Sequence, residues 1–519
     1  MRTIPTQLIK RRYTAQRATR AAFNTASTTR TSSEKTFRIG VIGATTALIA
    51  LYVSQQSQHN HKLSEDEIKK LINAGRLIVS MKDKAYDVTD FASVHPGGES
   101  MIKAASGHDI TKAWETPTYR FHQKNDVVKE ILHDSFIGRC KPLPDMTKLP
   151  SAIQFDERYI QHSNNCAEAI TPEWDGNGES KTRFVRDHGA YSINADTLYI
   201  KDITGKKKQL NNQQLQSYEQ QSSYQLVTCA GGGRSSFDES VDGIPWGLGA
   251  DALYTIRVQG TSLENLFQSL NMPYDKACLI LVTGSDGYSA AIHSSEFKDF
   301  ILTTQTSDGK PLPELNGRHR RLMGKGVGFR QIKDVTGIQF IPELPDNELS
   351  QTLIERLKDP MTSLHQVTRQ VLAACPAGDA YVQKDRNGKP YGFNIHVPTS
   401  TIIHEIKESH NNPHEREVTG IVYGDSLHPT QATARVKGKK PTPATLFFPK
   451  GSDQFAFLYA KINVDSTQEK QTVIINASNG NGQPQPKTVP YSQRGLWGHS
   501  KEAKREISLD QSQSKNPIH

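Results

Sequence analysis

Leu226-Val-Thr-Cys-Ala-Gly-Gly-Gly-Arg-Ser-Ser-Phe237 is an apolar, β-prone run that delivers a single cysteine into a glycine turn, with an arginine close behind. A strand end that presents a thiol at the mouth of a loop can hold a soft metal. Gly231, Gly232 and Gly233 let the loop backbone approach an anionic group closely, because no side chain stands in the way. Arg234 adds a fixed positive charge. A lone cysteine after a strand is by habit a small buried hydrophobe, so this reading depends on what flanks it.

The chain has 519 residues, enough for several domains, and its 35% hydrophobic content suits a mainly water-soluble protein. The formal net charge is +9, but much of it sits at the front: Arg2, Lys10, Arg11, Arg12, Arg17, Arg20 and Arg30 all precede the first acidic residue, Glu34. Serine, threonine and alanine fill the gaps, which is the composition of a mitochondrial presequence. The basic balance is therefore not read as a nucleic-acid signal. An apolar run from Ile39 to Val53 follows. It is short for a spanning helix, which needs about 20 residues, and suits either a cleaved sorting signal for the mitochondrial intermembrane space or a retained inner-membrane anchor. Cysteines 140, 166, 229, 278 and 375 show no paired spacing, so neither a disulfide frame nor a zinc site is implied.

Ser64-Glu-Asp-Glu67 reads as a capping box opening a helix from Glu65 to Asn73. Leu77 to Ser80 and Ala85 to Val88 read as two short strands. In Val94-His-Pro-Gly-Gly98, the proline and glycines hold His95 out on a rigid corner, as an axial haem ligand requires. Tyr119-Arg-Phe-His122 supplies a second histidine beside an apolar helical stripe. Ala85-Tyr-Asp-Val-Thr-Asp-Phe91, His95-Pro-Gly-Gly98 and the closing Phe136-Ile-Gly138 together resemble the cytochrome b5 haem domain. The resemblance implies a small α+β fold holding haem b, with His95 as one iron ligand and His122 as the other; His108 and His133 are alternatives. Two histidine ligands imply electron transfer rather than oxygen chemistry.

A proline-rich, polar stretch over 141–180 reads as a flexible hinge. From Lys181, β-like runs alternate with glycine turns and short helices: Thr182 to Val185, Thr197 to Lys201, Tyr224 to Thr228 and Leu279 to Thr283 as strands, Ser262 to Leu270 as a helix. Here Phe184-Val-Arg-Asp-His188, Leu226 to Arg234, Gly243-Ile-Pro-Trp246, Gly287-Tyr288, Lys310-Pro-Leu-Pro313 and Val327-Gly-Phe-Arg-Gln-Ile-Lys333 resemble, in order, motifs of the sulfite oxidase family of molybdenum enzymes. The resemblance implies an α+β domain with Mo-molybdopterin, ligated by the Cys229 thiolate. Arg186, Arg234 and Arg494 would bind the sulfur oxyanion through forked, charge-assisted hydrogen bonds. Tyr288 would donate to the reacting oxygen and Trp246 would wall the pocket. Phe184, His188, Arg321, Arg330 and Lys333 would hold the cofactor. Three departures stand out: Gly232 and Gly233 replace a polar and a basic residue, Gly247 replaces a basic residue, and Asn316 replaces a histidine.

Leu349, Leu353, Leu357 and Leu364 mark a helical segment over Asn347 to Leu372, broken at Pro360. From about His396 the pattern becomes short strands with Gly, Asn and Pro turns, among them Glu417 to Tyr423, Ala432 to Val436, Ala444 to Phe448, Phe455 to Ile462 and Thr472 to Asn476. That pattern predicts an all-β immunoglobulin-like domain, which in the resembled family dimerises. The expected organisation is a presequence and apolar segment (1–57), a haem domain (60–140), the hinge (141–180), a molybdopterin domain (181–345), a helical connector (346–395) and the β-domain (396–505). The resemblance implies oxidation of sulfite to sulfate, with cytochrome c as electron acceptor, in a mitochondrial homodimer. Two other readings are a haem-bearing scaffold with a degenerate molybdenum fold and a molybdenum oxidoreductase for another oxyanion such as nitrate.

Overall fold

The computed structural model describes residues 61–509, leaving aside 93–94, 96–98, 116–121, 124–125, 149–155, 164–165, 172, 187–196, 238–240, 242, 273–276, 286–287, 313–318, 343–381, 385, 388–389, 394–395, 426, 428–429 and 490–495. The presequence, the 39–53 apolar run, the predicted helix at 347–372, His188, Asn316 and Arg494 therefore lie outside the described residues. Among the described residues, no helix is long and apolar enough to cross a membrane.

The first unit opens with α1 (Glu65–Asn73), started by the predicted capping box. The Ser64 hydroxyl accepts from the Glu67 amide at 3.3 Å, and the Glu67 carboxylate accepts from the Ser64 amide at 2.8 Å. β1 (Ile78–Met81) and β2 (Lys84–Asp87) form a hairpin, and α2 (Thr89–Ala92) and α3 (Glu99–Ala105) follow. α4 (Asp126–Ser135) leads into β3 (Phe136–Arg139), which closes a three-stranded sheet on β2. Val79, Tyr86, Val88 and Ile110 form the core between this sheet and the helices, with Leu132 and Phe136 packed on it.

The predicted hinge over 141–180 is much shorter in the structure. Residues 141–148 are folded onto the first unit: the Asp109 amide donates to the Pro144 carbonyl at 2.8 Å, and the Met146 amide to the Asp109 carbonyl at 3.0 Å. Beyond residue 155 the chain enters a three-stranded sheet, β4 (Tyr159–Ser163), β5 (Cys166–Ala169) and β6 (Val185–Arg186). Every residue of β5 is buried. The polar stretch that carries it looked like linker, because the backbone amides that meet its one polar side chain, Glu168, lie some eighty residues away.

The central unit has two further sheets. One is mixed and five-stranded, in the order β12-β11-β15-β7-β8, built from β7 (Leu198–Lys201), β8 (Lys207–Leu210), β11 (Ala277–Gly284), β12 (Ser289–His293) and β15 (Val335–Pro342). The other runs β14-β13-β10-β9, from β9 (Gln221–Thr228), β10 (Leu253–Ser262), β13 (Phe300–Thr306) and β14 (Arg321–Gly324). A short α5 (Asn212–Gln216) precedes β9, and α6 (Leu263–Ser269) follows β10 with Ser262 as its cap. Leu263, Leu266 and Phe267 of α6 fill one core with residues of both sheets, among them Leu198, Ile280, Phe300, Leu322 and Phe340. In β7, Leu198 and Ile200 face inward while Tyr199 and Lys201 face out, the alternation of a half-buried strand.

A small hairpin of β16 (Val382–Lys384) and β17 (Pro390–Phe393) precedes the C-terminal unit. That unit is two four-stranded antiparallel sheets. One is β18 (Ser400–Ser409), β19 (Asn412–Tyr423), β23 (Phe455–Asn463) and β22 (Thr445–Phe447); the other is β21 (Thr442–Pro443), β20 (Ala432–Val436), β24 (Lys470–Ala477) and β25 (Ala503–Ser508). Val418, Val422, Leu458 and Ala460 of one sheet meet Ala434, Val436, Val473 and Ile475 of the other in a shared core. A further cluster joins this sandwich to the central unit: Tyr224, Leu226 and Ala230 pack with Tyr423, Phe455, Leu496 and Trp497. The strand leading to Cys229 is thereby gripped by the sandwich.

Candidate functional site

In the first unit, His95 follows α2, and its ring meets the edge of Phe91 at 5.4 Å. His122 stacks on Trp114 at 4.9 Å. The two imidazoles are nearly parallel, 12° apart, with ring centres 6.4 Å from one another. A metal–imidazole bond of about 2.0–2.1 Å (the value for zinc) plus about 1.1 Å from nitrogen to ring centre, taken twice, gives roughly 6.2–6.4 Å. The pair is thus spaced to take one iron between them. Of the alternatives, His108 faces the Ser106 carbonyl at 3.0 Å and His133 sits at the surface beside Asp134.

In the central unit, β9 and β10 pair in a register that sets Thr228 opposite Leu253, so Cys229 leaves the sheet beside Ala252. The Cys229 amide donates to the Ala252 carbonyl at 3.0 Å. The turn then folds back, with the Gly231 amide donating to the Cys229 sulfur at 3.4 Å. Cys229 is half-buried and packs with Phe184 on a cluster of Cys166, Ile244, Trp246 and Ala252. The Arg234 guanidinium lies flat against two glycines: a Cβ at Gly231 or Gly243 would stand 2.4 or 2.7 Å from its Cζ. Arg234 also donates to the Ile244 carbonyl at 3.1 Å. Arg186 donates to the Cys166 sulfur at 3.0 Å, which sets it at the same cluster. Trp246 is fully buried, with Phe184 edge-on at 5.6 Å, and its indole N–H has no hydrogen-bond partner among the described residues. Tyr288 packs against the large core between the two main sheets.

The cations expected to hold the cofactor divide. Arg321 is buried and donates to the Tyr254 hydroxyl at 2.6 Å, with its Cζ 6.0 Å from the centre of that ring. No carboxylate among the described residues neutralises it, and its Nε has no partner. Arg183 shares the Tyr254 ring at 6.0 Å, and Lys333 is bridged to Arg321 through the backbone. A guanidinium taken out of water without a counter-charge is costly, so this corner fits an anionic group such as a cofactor phosphate. Arg330 is different. Both its terminal nitrogens donate to Glu296, at 3.0 and 2.6 Å, in an ion pair buried on the arginine side and half-buried on the glutamate side. Burial pushes the Glu296 carboxyl up, but the charge and hydrogen bonds of Arg330 outweigh it and hold the group below its ordinary range. The predicted cofactor role of Arg330 thus gives way to an internal one.

The segment just before β25 also belongs to the site. Leu496 and Trp497 join the cluster under Cys229. The Trp497 amide donates to the Ala230 carbonyl at 2.7 Å and the Gly498 amide to the Gly232 carbonyl at 2.9 Å. Arg494 lies just before this docked segment. Arg183, Tyr254, Glu168, His162, Asp251 and His499 were not singled out from the sequence. Only Arg183, beside Phe184, carried any local signal there.

Residues 64–141 match the family model of the cytochrome b5-like heme/steroid binding domain, and residues 188–348 that of the oxidoreductase molybdopterin binding domain. The chain is 23% identical over 321 residues to the mitochondrial sulfite oxidase of Homo sapiens, covering 56% of this chain and 57% of that protein. It is 25% identical over 285 residues to that of Mus musculus, covering 49% and 51%. The chain thus spans little more than half the length of these curated relatives. Over 82 residues the chain is 35% identical to a probable cytochrome b5 of Neurospora crassa, covering 15% of this chain and 55% of that one. Among solved structures, the sulfane dehydrogenase SoxCD of Paracoccus pantotrophus shares the fold, with a TM-score of 0.50 and 13% identity over 69% of this chain and 88% of that chain.

Fold, site and family models together define a protein that joins a cytochrome b5-type haem domain to a molybdopterin oxidoreductase domain, with haem and Mo-molybdopterin as its cofactors. In its domain make-up the chain is of the sulfite-oxidase type.

Proposed function

We propose that this protein oxidises sulfite to sulfate: sulfite and water give sulfate, two protons and two electrons, and the electrons pass singly through haem b to cytochrome c. When bound, Mo-molybdopterin supplies oxygen-atom transfer and takes up the electron pair. The observation that carries the reading is the gathering of Cys229, Phe184 and Trp246 at one cluster, with Arg234 against the Cys229 turn and Arg186 on the neighbouring sulfur. Cys229 would be the protein ligand to molybdenum, a soft thiolate on a soft metal. Arg186, Arg234 and Arg494 would orient the oxyanion with charge-assisted hydrogen bonds. Trp246 would exclude water from one wall. Tyr288 is assigned the donor role at the reacting oxygen. Phe184, His188, Arg321 and Lys333 would hold the pterin and its phosphate; His95 and His122 would ligate the haem iron.

The C-terminal sandwich is read as an immunoglobulin-like dimerisation module. The arginine-rich leader and the mitochondrial relatives support a location in the intermembrane space, with residues 39–53 as a sorting signal or anchor. The test is reduction of cytochrome c by the purified full-length holoprotein with sulfite, against nitrate and other oxyanions as controls. Cys229→Ser should keep the haem spectrum and lose sulfite turnover; retained turnover in this variant would overturn the ligand assignment.

A further inference from the structure

Two histidine–carboxylate pairs lie behind the cysteine turn, and one backbone amide links them. Glu168, on β5, is fully buried. Its carboxylate accepts from the Gly247 amide at 3.1 Å, the Leu248 amide at 3.1 Å and the Asp251 amide at 2.7 Å. It also meets His162 Nε2, on β4, at 3.0 Å, and that imidazole is 4% exposed. The His162 ring stands edge-on to Trp246 at 5.1 Å, so Trp246 is held by His162 and Phe184 together. Asp251 continues the chain of contacts. It is buried, adopts a left-handed φ of 67° and accepts from the Gly233 amide at 3.2 Å. Its other oxygen meets His499 Nε2 at 2.8 Å. The His499 Nδ1 would lie 2.8 Å from a Cβ at Gly233, so the imidazole fills the place of a side chain there.

These contacts tie together the β4–β5 hairpin, the turn after Trp246, the cysteine turn and the C-terminal segment. A carboxylate that collects three backbone amides fixes that backbone much as an anion does when bound in a nest of amides. A non-glycine residue at positive φ persists only where its surroundings over-determine it, and at Asp251 both its amide and its carboxylate are engaged.

We propose that Glu168 and His162 are a positioning pair for the molybdenum pocket, which fixes the Trp246–Asp251 turn and, through Asp251, the glycine turn that donates to the Cys229 sulfur. This rests on the reading of Cys229 as the metal ligand, but its central readout does not depend on turnover. In the full-length holoprotein, Glu168→Gln should speed amide exchange at Gly247, Leu248 and Asp251 by at least about tenfold and, one step further on, at Gly233. The sandwich core and the haem spectrum should be unchanged. Molybdenum content should stay near that of the parent, while kcat for sulfite falls and KM moves little.

Unchanged exchange at Gly233, or loss of molybdenum in step with activity, would overturn the proposal. Should Glu168→Gln fail to fold, Asp251→Asn tests the second link alone: faster exchange at Gly233 with Gly247 and Leu248 still protected supports it, and an unaltered Gly233 overturns it. If the parent protein does not oxidise sulfite, the exchange pattern still decides whether the relay exists, so the two failures are distinguishable.

Discussion

Arg321 carries the sharpest question at the scale of single residues. Its guanidinium is buried against the Tyr254 ring, with the Tyr254 hydroxyl as hydrogen-bond partner and no neutralising carboxylate among the described residues. A buried charge of this kind is stable only when something anionic completes it. Arg321→Met should therefore leave purified protein with its haem spectrum intact but with pterin and molybdenum reduced at least about tenfold, measured by metal analysis and pterin fluorescence. Its neighbour in motif, Arg330, carries its counter-charge in Glu296 and should behave otherwise: Arg330→Met leaves a half-buried carboxylate without its partner and should cost stability, by roughly 1–3 kcal/mol. In the haem domain, His122→Ala should abolish the bis-histidine haem spectrum and His108→Ala should leave it unchanged. His95 and Cys229 stand out in the sequence because their settings are local, a Pro-Gly-Gly stretch and an apolar run leading into glycines. The partner of Arg330 was not, because Glu296 lies 34 positions away on another element.

Two features belong to elements. The first is the docking of residues 496–500 onto the cysteine turn. A Cβ at Gly498 would stand 2.1 Å from the Gly233 carbonyl oxygen, so the segment cannot keep its place with a larger residue there. Gly498→Ala should destabilise the protein by about 1–3 kcal/mol, the usual cost of overpacking, seen as a lowered unfolding midpoint. The second is the contact of β18 with the central unit, where the His404 ring stacks on Trp174 at 4.3 Å. Burial, and then the charge of Arg505, push the His404 imidazole down to about 3. The unfolded chain binds this proton near the ordinary value of about 6.5, the folded one only near 3. The contribution is therefore present above pH 6.5 and lost as pH falls through that window. His404→Phe, which keeps a ring against Trp174, should flatten the decline in unfolding midpoint between pH 6.5 and 4. The strands of the sandwich were largely legible, since Ala432–Val436 and Phe455–Asn463 alternate cleanly. β5 was not, because a buried glutamate in a polar stretch reads as linker until its amide partners are known.

At the scale of the whole molecule, two cofactor sites of different chemistry sit on one chain. The purified holoprotein should contain iron and molybdenum in near-equal amounts, about one each per chain; iron alone would favour a haem-bearing scaffold. Residues 149–155, between the two units, lie outside the described residues, and the eight steps from residue 148 to residue 156 can span at most about 29 Å when extended. That bounds how far the last described residue of the haem unit can stand from the first of the central unit. The net charge of +9 is weighted to the first forty residues, so it says little of the surface of the folded domains.

What the amino-acid sequence determined by itself was the chemistry: a histidine on a rigid corner, a cysteine at a strand end, arginines beside it, and the order of the domains that bear them. Those features depend on neighbours within a few residues, where backbone preference and residue type act directly. Only the tertiary structure decided which histidine faces His95, which arginine is left with an unneutralised charge, and that β5 and residues 496–500 close around the cysteine turn. Those outcomes are set by where a charge or an amide finds its partner after the sheets have packed: the amides that meet Glu168, the carboxylate that meets Arg330 and the C-terminal amides that meet Ala230 and Gly232 are separated from them by tens to hundreds of residues.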